Sequence, residues 1–342
     1  MDLLKLIQSF AQDCVAKTPV IVLGSGASAA YGIPGMGALG EHLTRSTLPL
    51  GLGFKDLEGW TNFCDQLSHT DLESALTEIS FTDLVTQHIV CVTWEFLNAA
   101  DVAIFEKVVA NRQMLSLTKL FGHLFRSTAR DIQVVTPNYD RIAEYAAEAG
   151  GFSAFNGFTY GMLGQRAHAP IPIIYNGRNR SRTVNVWKVH GSFGWFHDEN
   201  GIVVALPPML KVPIGMTPVI VTPGIEKYRR THDEPFRTTM QSADTAIRSA
   251  AAFLSIGYGF NDAHLQPLLV ERCHAASVPL VLITKEISSK AHEFFNSGKC
   301  QRYLAMEEAS SGTKLFSNEH PNGIELAGLP YWQLNEFLSL IM

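Results

Sequence analysis

The chain is short of the features that assign a protein fastest. Its five cysteines, Cys14, Cys64, Cys91, Cys273 and Cys300, contain no CxxC pair, which argues against a zinc site of the usual spacing. Their odd number and scatter suit free thiols in a reducing compartment. There is no basic excess. Lys and Arg number 27 against 32 Asp and Glu, a net charge of −5, so direct nucleic-acid binding is not expected. One basic stretch, "NGRNRSR" at 176–182, reads as a solvated loop or as a contact for phosphate or another acidic group. No apolar run approaches the ~20 residues of a membrane span. The N-terminus, with Asp2 and no long apolar core, does not read as a signal peptide. A soluble, cytoplasmic protein with no membrane role is expected. The ATP-binding loop GxxxxGK[ST] is missing too, so any ATPase activity belongs to a separate chain.

What is present is an ordinary globular composition over 342 residues, 46% hydrophobic and 17% charged. One grammar recurs: a short apolar run, a Gly-rich or polar turn, then helical spacing. It occurs in "PVIVLGSGAS" and again in "DIQVVTPNYDRIAEYAAEAG". "TVNVWKVHGS" gives a strand and turn, "GWFHDENGIVVAL" a hairpin and "PVIVTPG" a strand. A helix is expected near 234–250, then "AAFLSIGYGFNDAHL" and the strand "VPLVLIT". Further helices are expected over 2–16 and about 331–341, and several more over about 56–130, where helical spacing runs with few breakers. Strands alternating with helices predict an α/β fold. The expected architecture is a Rossmann-like parallel sheet with helices on both faces and a helical insertion at about 56–130. One domain over 1–342 accounts for it.

Each strand end carries candidate chemistry beside a plainer reading. In "GSGAS", Gly24 and Gly26 let the backbone approach a phosphate, and Ser25 and Ser28 add hydroxyl donors. A merely tight strand–helix turn explains the same residues. In "TPNYD", Asn138 and Asp140 stand where open α/β sheets bind ligands, yet either residue can cap the next helix. In "KVHGS", His190 is a core histidine or a group held to move a proton. In "GYGFND", Gly257 and Gly259 make a fourth turn, and Asn261 and Asp262 are read as helix caps. The coincidence of four such turns predicts that they open at one edge of one sheet.

Taken in order, "GSGASAAYGIP", "TPNYD", "KVHGS" and "GYGFND" resemble the signature segments of the sirtuin (silent information regulator-like) family. The likeness spans about 18–285, with 56–130 inserted. It is nearer to the bacterial sirtuin-like NAD hydrolases of anti-phage defence than to the protein deacylases. The resemblance implies that Gly24, Ser25, Gly26, Ala27 and Ser28 line the diphosphate of NAD. It puts Ile33 and Pro34 in a loop covering that substrate. It puts Asn138 at the nicotinamide ribose and attacking water, and Asp140 at the nicotinamide carboxamide. His190 is then the catalytic histidine, and Gly257 and Tyr258 lie on the adenosine side. Deacylases of the family carry two zinc-binding cysteine pairs and an arginine after the covering loop. Here the pairs are absent and "GIPGMGAL" stands at the second place, so no zinc is expected and deacylation is in doubt. The implied activity is NAD+ glycohydrolase, yielding nicotinamide and ADP-ribose. The alternatives are an NAD-dependent protein deacylase and a nucleotide-sensing subunit without turnover. A homo-oligomer and a HerA-like ATPase partner are expected by the same resemblance. The helical insertion and the apolar stripe of "YWQLNEFLSLIM" are the candidate contact surfaces.

Overall fold

The computed structural model describes residues 3–159, 161–167, 172–222 and 233–342. Its largest element is a nine-stranded sheet of order β15-β14-β13-β12-β11-β1-β2-β7-β3. Seven of these strands run parallel: β1 (Val20–Leu23), β2 (Asp131–Thr136), β3 (Ser153–Phe155), β7 (Thr183–Lys188), β11 (Phe253–Ile256), β12 (Leu280–Ile283) and β13 (Tyr303–Ala309). The expected α/β class with a parallel, Rossmann-like sheet is therefore what the chain adopts.

The apolar runs explain the burial. In β1, Ile21 and Leu23 face one core, and Val20 and Val22 face the other. A strand covered on both faces needs apolar residues at every position. The first core is closed by α1 (Leu3–Ala16), α7 (Ser116–Leu124) and α8 (Ile142–Ala149). The second is closed by α9 (Phe236–Ser249), α10 (Leu265–Ala276) and α11 (Ser289–Asn296). The C-terminal helix α12 (Leu334–Ile341) buries Phe337, Leu338, Leu340 and Ile341 against α1 and α7. Its apolar stripe, expected as a possible partner surface, is thus consumed within the chain.

Three features depart from the sequence expectations. Residues 153–155, for which the sequence predicts no strand, form β3 at the edge of the large sheet. The segment after β12 adds β13 and then the antiparallel strands β14 (Gly312–Ser317) and β15 (Ile324–Ala327). These strands are half-exposed and have no long apolar run to announce them. A separate antiparallel sheet joins β10 (Thr217–Ile220), β8 (Gly191–His197), β9 (Val203–Ala205) and β4 (Gly164–Gln165). The "PVIVTPG" strand belongs to this smaller sheet, and its last two residues fall outside the described ones. A two-stranded hairpin, β5 (Tyr175–Asn176) with β6 (Asn179–Arg180), lies within the basic stretch.

The helical insertion comprises α4 (Phe54–Leu67), α5 (Leu72–Glu78), α6 (Asp83–Ala110) and α7, preceded by α2 (Ser25–Ala29) and α3 (Met36–Thr44). Helices α3 to α6 form their own core around Trp60, Phe63 and Trp94. That core rests on Phe193, Phe196 and Ile220 of the small sheet. The Trp94 indole N–H donates to the Phe193 carbonyl at 3.0 Å. At 28 residues, α6 has the length and composition of a membrane span, which qualifies the expectation of no such run. It is nevertheless seated in the protein. Asp101, wholly buried on α6, accepts from the Arg141 backbone N–H at 2.7 Å, the Arg141 Nε at 2.8 Å and the Tyr145 hydroxyl at 2.6 Å.

Candidate active site

Strands β11, β1, β2 and β7 are consecutive neighbours. The four sequence segments singled out above therefore end side by side. The chain leaves β1 toward β2 on one side and reaches β11 much later on the other. Such a reversal of strand order opens a crevice beyond the strand ends. A cleft of about 380 Å3 occupies that place. Gly24, Ser25, Gly26 and Ser28 line it from the first turn, Ile33 and Pro34 from the segment after α2, Asn138 and Asp140 from the second turn, with His190 and Tyr258 beside them. Met36, Leu39, Glu73 and Leu97, from α3, α5 and α6, line it too.

Ala27 and Gly257 are not among the residues that line the cleft. They lie behind it, where the first and fourth turns meet backbone to backbone. A Cβ on Gly24 would stand 2.3 Å from the Gly257 carbonyl oxygen. Gly257 has φ +58°, and its own Cβ would stand 2.3 Å from the Ala27 nitrogen. The Gly24 N–H donates to Ile256 O and the Gly26 N–H to Gly257 O, each at 3.0 Å. The glycines thus serve first to let two turns touch, and their amides are engaged there.

In the second turn, the side-chain nitrogen of Asn138 donates to Gly24 O at 2.8 Å and to Ser28 Oγ at 3.0 Å. A backbone carbonyl only accepts, so this contact decides which end of the amide is which. The Asn138 carbonyl is the end left for a ligand. Asp140 is buried, accepting from the Ser28 hydroxyl at 2.6 Å and from the Ile142 N–H at 3.2 Å. It ties the first turn to the start of α8. Burial pushes its carboxyl above the ordinary value, while Lys188 and the Ser28 hydroxyl pull it down. Lys188, almost wholly buried at the end of β7, donates to the Asp140 backbone carbonyl and stands 3.5 Å from Glu144 Oε1.

His190 sits where the chain passes from β7 of the large sheet into β8 of the small one. It is not at a strand–helix turn like the other three segments. Gly191, with φ +93°, makes the bend, and a Cβ there would stand 2.2 Å from Val219 O. His190 Nε2 lies 3.0 Å from Asp262 Oδ2, in an approach too oblique for a linear hydrogen bond. Asp262 also caps α10, its Oδ1 accepting from the N–H groups of His264 at 2.9 Å and Leu265 at 3.0 Å. Burial alone would raise the Asp262 carboxyl. The imidazole and the two backbone donors outweigh it and hold the group well below the usual carboxylate range.

Asp262 was legible in the sequence only as a cap, although its place one turn from a strand end was a signal. Lys188 was visible as a lone cation in an apolar strand. Met36, Leu39, Glu73 and Leu97 carry no local signal, because only packing of the insertion brings them to the cleft.

Fold and cleft define the class first: an α/β protein with a cleft at the reversal point of a parallel sheet. Residues 132–297 match the family model described as a SIR2-like domain. Over those residues, just under half of its length, the chain is similar to that family. No curated protein matches the sequence. Similar solved structures include one from work on the structural basis for the mechanism and regulation of Sir2 enzymes. It is 14% identical with a TM-score of 0.43, covering 83% of this chain and 88% of that one. Another is a Sir2 homologue in complex with NAD, 12% identical with a TM-score of 0.41, covering 86% of each chain.

Proposed function

We propose that the protein hydrolyses NAD to nicotinamide and ADP-ribose, and that it serves anti-phage defence by depleting NAD. The observation that carries this reading is the meeting of Asn138 and His190 in one cleft, with the Asn138 amide pinned so that its carbonyl is the end left for a ligand. The cleft has the size of small-molecule sites, which run from about 300 to 1,000 Å3. Its lining is mostly apolar with a few polar groups, which suits the rings of a dinucleotide.

Cleavage breaks the bond between ribose C1′ and the nicotinamide nitrogen. The electron pair leaves with nicotinamide, which departs neutral, and positive charge develops on the ribose. No strong general acid is called for. A water oxygen then bonds to C1′ and gives up a proton. Asn138 orients that water, and His190 takes the proton from it or from a ribose hydroxyl. Ile33 and Pro34 cover the substrate, and Asp140 holds the second turn in place. Gly24 and Gly26 are engaged with the fourth turn, and the Ser28 hydroxyl with Asp140 and Asn138, so the Ser25 hydroxyl is the group of that segment left to meet the diphosphate.

Nicotinamide release from NAD tests the reading. His190→Ala is expected to lose about 100- to 10,000-fold in rate, as for removal of a general base. Asn138→Ala is expected to abolish release while the protein stays folded. Wild-type turnover in either variant overturns the assignment of that residue. Because the same reading carries a homo-oligomer and a HerA-like ATPase partner, NAD loss in phage-challenged cells is to be measured with and without such an ATPase. NAD levels that hold steady through infection would remove the defence role.

A further inference from the structure

We propose that Asp262 is a positioning residue that sets the tautomer of His190, and that its cap on α10 is what allows it to do so. The catalytic consequence rests on the hydrolase reading above; the pairing itself does not.

The argument starts from the cap. Asp262 Oδ1 accepts two backbone N–H groups, at 2.9 and 3.0 Å. Two donors on one oxygen fix the plane of the carboxylate, and that plane presents Oδ2 to His190 Nε2 at 3.0 Å. Both residues are more than nine-tenths buried, so water does not compete for either group. An ionised carboxylate only accepts, so the proton of a neutral imidazole sits on Nε2. Nδ1 is then the basic nitrogen, on the other side of the ring. The approach is oblique, so the pairing calls for the ring to turn into line. The His264 ring stands edge-on to His190, with centroids 6.3 Å apart.

The cap also makes the pairing testable. In Asp262→Asn, the helix start still needs an acceptor, and only the amide oxygen can supply it. The amide nitrogen must then face His190 Nε2. A donor there forces Nε2 to accept and moves the imidazole proton to Nδ1, which is the wrong tautomer for a base acting through Nδ1. The fold is retained because Asn caps about as well as Asp. Asp262→Ser is a second variant: it keeps the cap, but its side chain is too short to reach the ring.

The experiment uses the full-length chain labelled with 15N-histidine, at a pH where the imidazole is neutral. The His190 signals are identified by their loss in His190→Gln. Expected are an Nε2–H tautomer in the wild type, Nδ1–H in Asp262→Asn, and a mixture in Asp262→Ser. Nicotinamide release should fall in Asp262→Asn by up to about 10,000-fold in kcat, the cost of a reversed tautomer in a comparable pair, with KM unchanged. A folded Asp262→Asn that keeps the Nε2–H tautomer, or keeps wild-type kcat, overturns the proposal. Should the wild type release no nicotinamide while the tautomer still switches, the hydrolase reading fails and the pairing stands.

Discussion

The cleft has two walls. One is the row of turns at the ends of β11, β1, β2 and β7. There, glycine backbones touch, Asn138 is tied to the neighbouring turn, and Asp140 and Asp262 each hold a helix start. The other wall comes from the helices α3, α5 and α6. It presents Met36, half exposed at 50%, the exposed Glu73, and the buried Leu39 and Leu97. The first wall is defined by backbone contacts that leave no room. The second is defined by side chains that can turn. Chemistry needs groups held to within a fraction of an ångström, so it belongs to the first wall. Fit to the substrate's outline belongs to the second.

One link between the walls is the buried Asp101–Arg141 pair, and breaking it has the largest expected effect. Asp101→Ala leaves the Arg141 guanidinium buried without its carboxylate, which costs about 3–5 kcal/mol. Denaturant unfolding should show this, and an unchanged midpoint would mean that the walls are joined by other contacts. The next test presses on the first wall. Gly24→Ala places a methyl 2.3 Å from Gly257 O. A cost toward the upper end of about 1–3 kcal/mol is expected, because backbone on both sides must yield. A variant as stable as the wild type would show that the turns have slack.

Acid sharpens the comparison further. The Asp262 carboxyl in the folded protein lies below the unfolded value of about 3.9. Its stabilisation is therefore fully present above that value and is lost as the pH falls through the folded value. Each unit of depression is worth about 1.4 kcal/mol. The wild type should lose stability below about pH 4 more steeply than Asp262→Asn, and parallel curves would contradict the shift. The smallest effect is on the second wall. Met36→Ala should change stability by less than about 0.5 kcal/mol, as for exposed positions. It should alter KM for the substrate and leave kcat unchanged. A loss in kcat would move this wall into the chemistry.

Much of the fold was open to reading before any coordinates. The runs around Val20–Leu23, Asp131–Thr136, Thr183–Lys188, Phe253–Ile256 and Leu280–Ile283 are apolar because the sheet is covered on both faces. Such strands announce themselves. Strands β14 and β15 did not, because a half-exposed edge tolerates Lys314 and Glu325 between its apolar residues. The site followed the same division. Asn138, Asp140 and His190 stood at strand ends and could be singled out. The second role of Asp262 could not, since capping already explained it and 72 residues separate it from His190.

By itself the sequence determined the alternation of strands and helices, and with it a parallel sheet whose turns carry glycine, asparagine, aspartate and histidine. Periodicity and turn chemistry are local, and a short window contains them. Only the tertiary structure decided that Gly24 packs on Gly257, that Asp262 faces His190, and that α3, α5 and α6 close the cleft. Those contacts join residues far apart in the chain, and what selects them is the shape left when both faces of the sheet are covered.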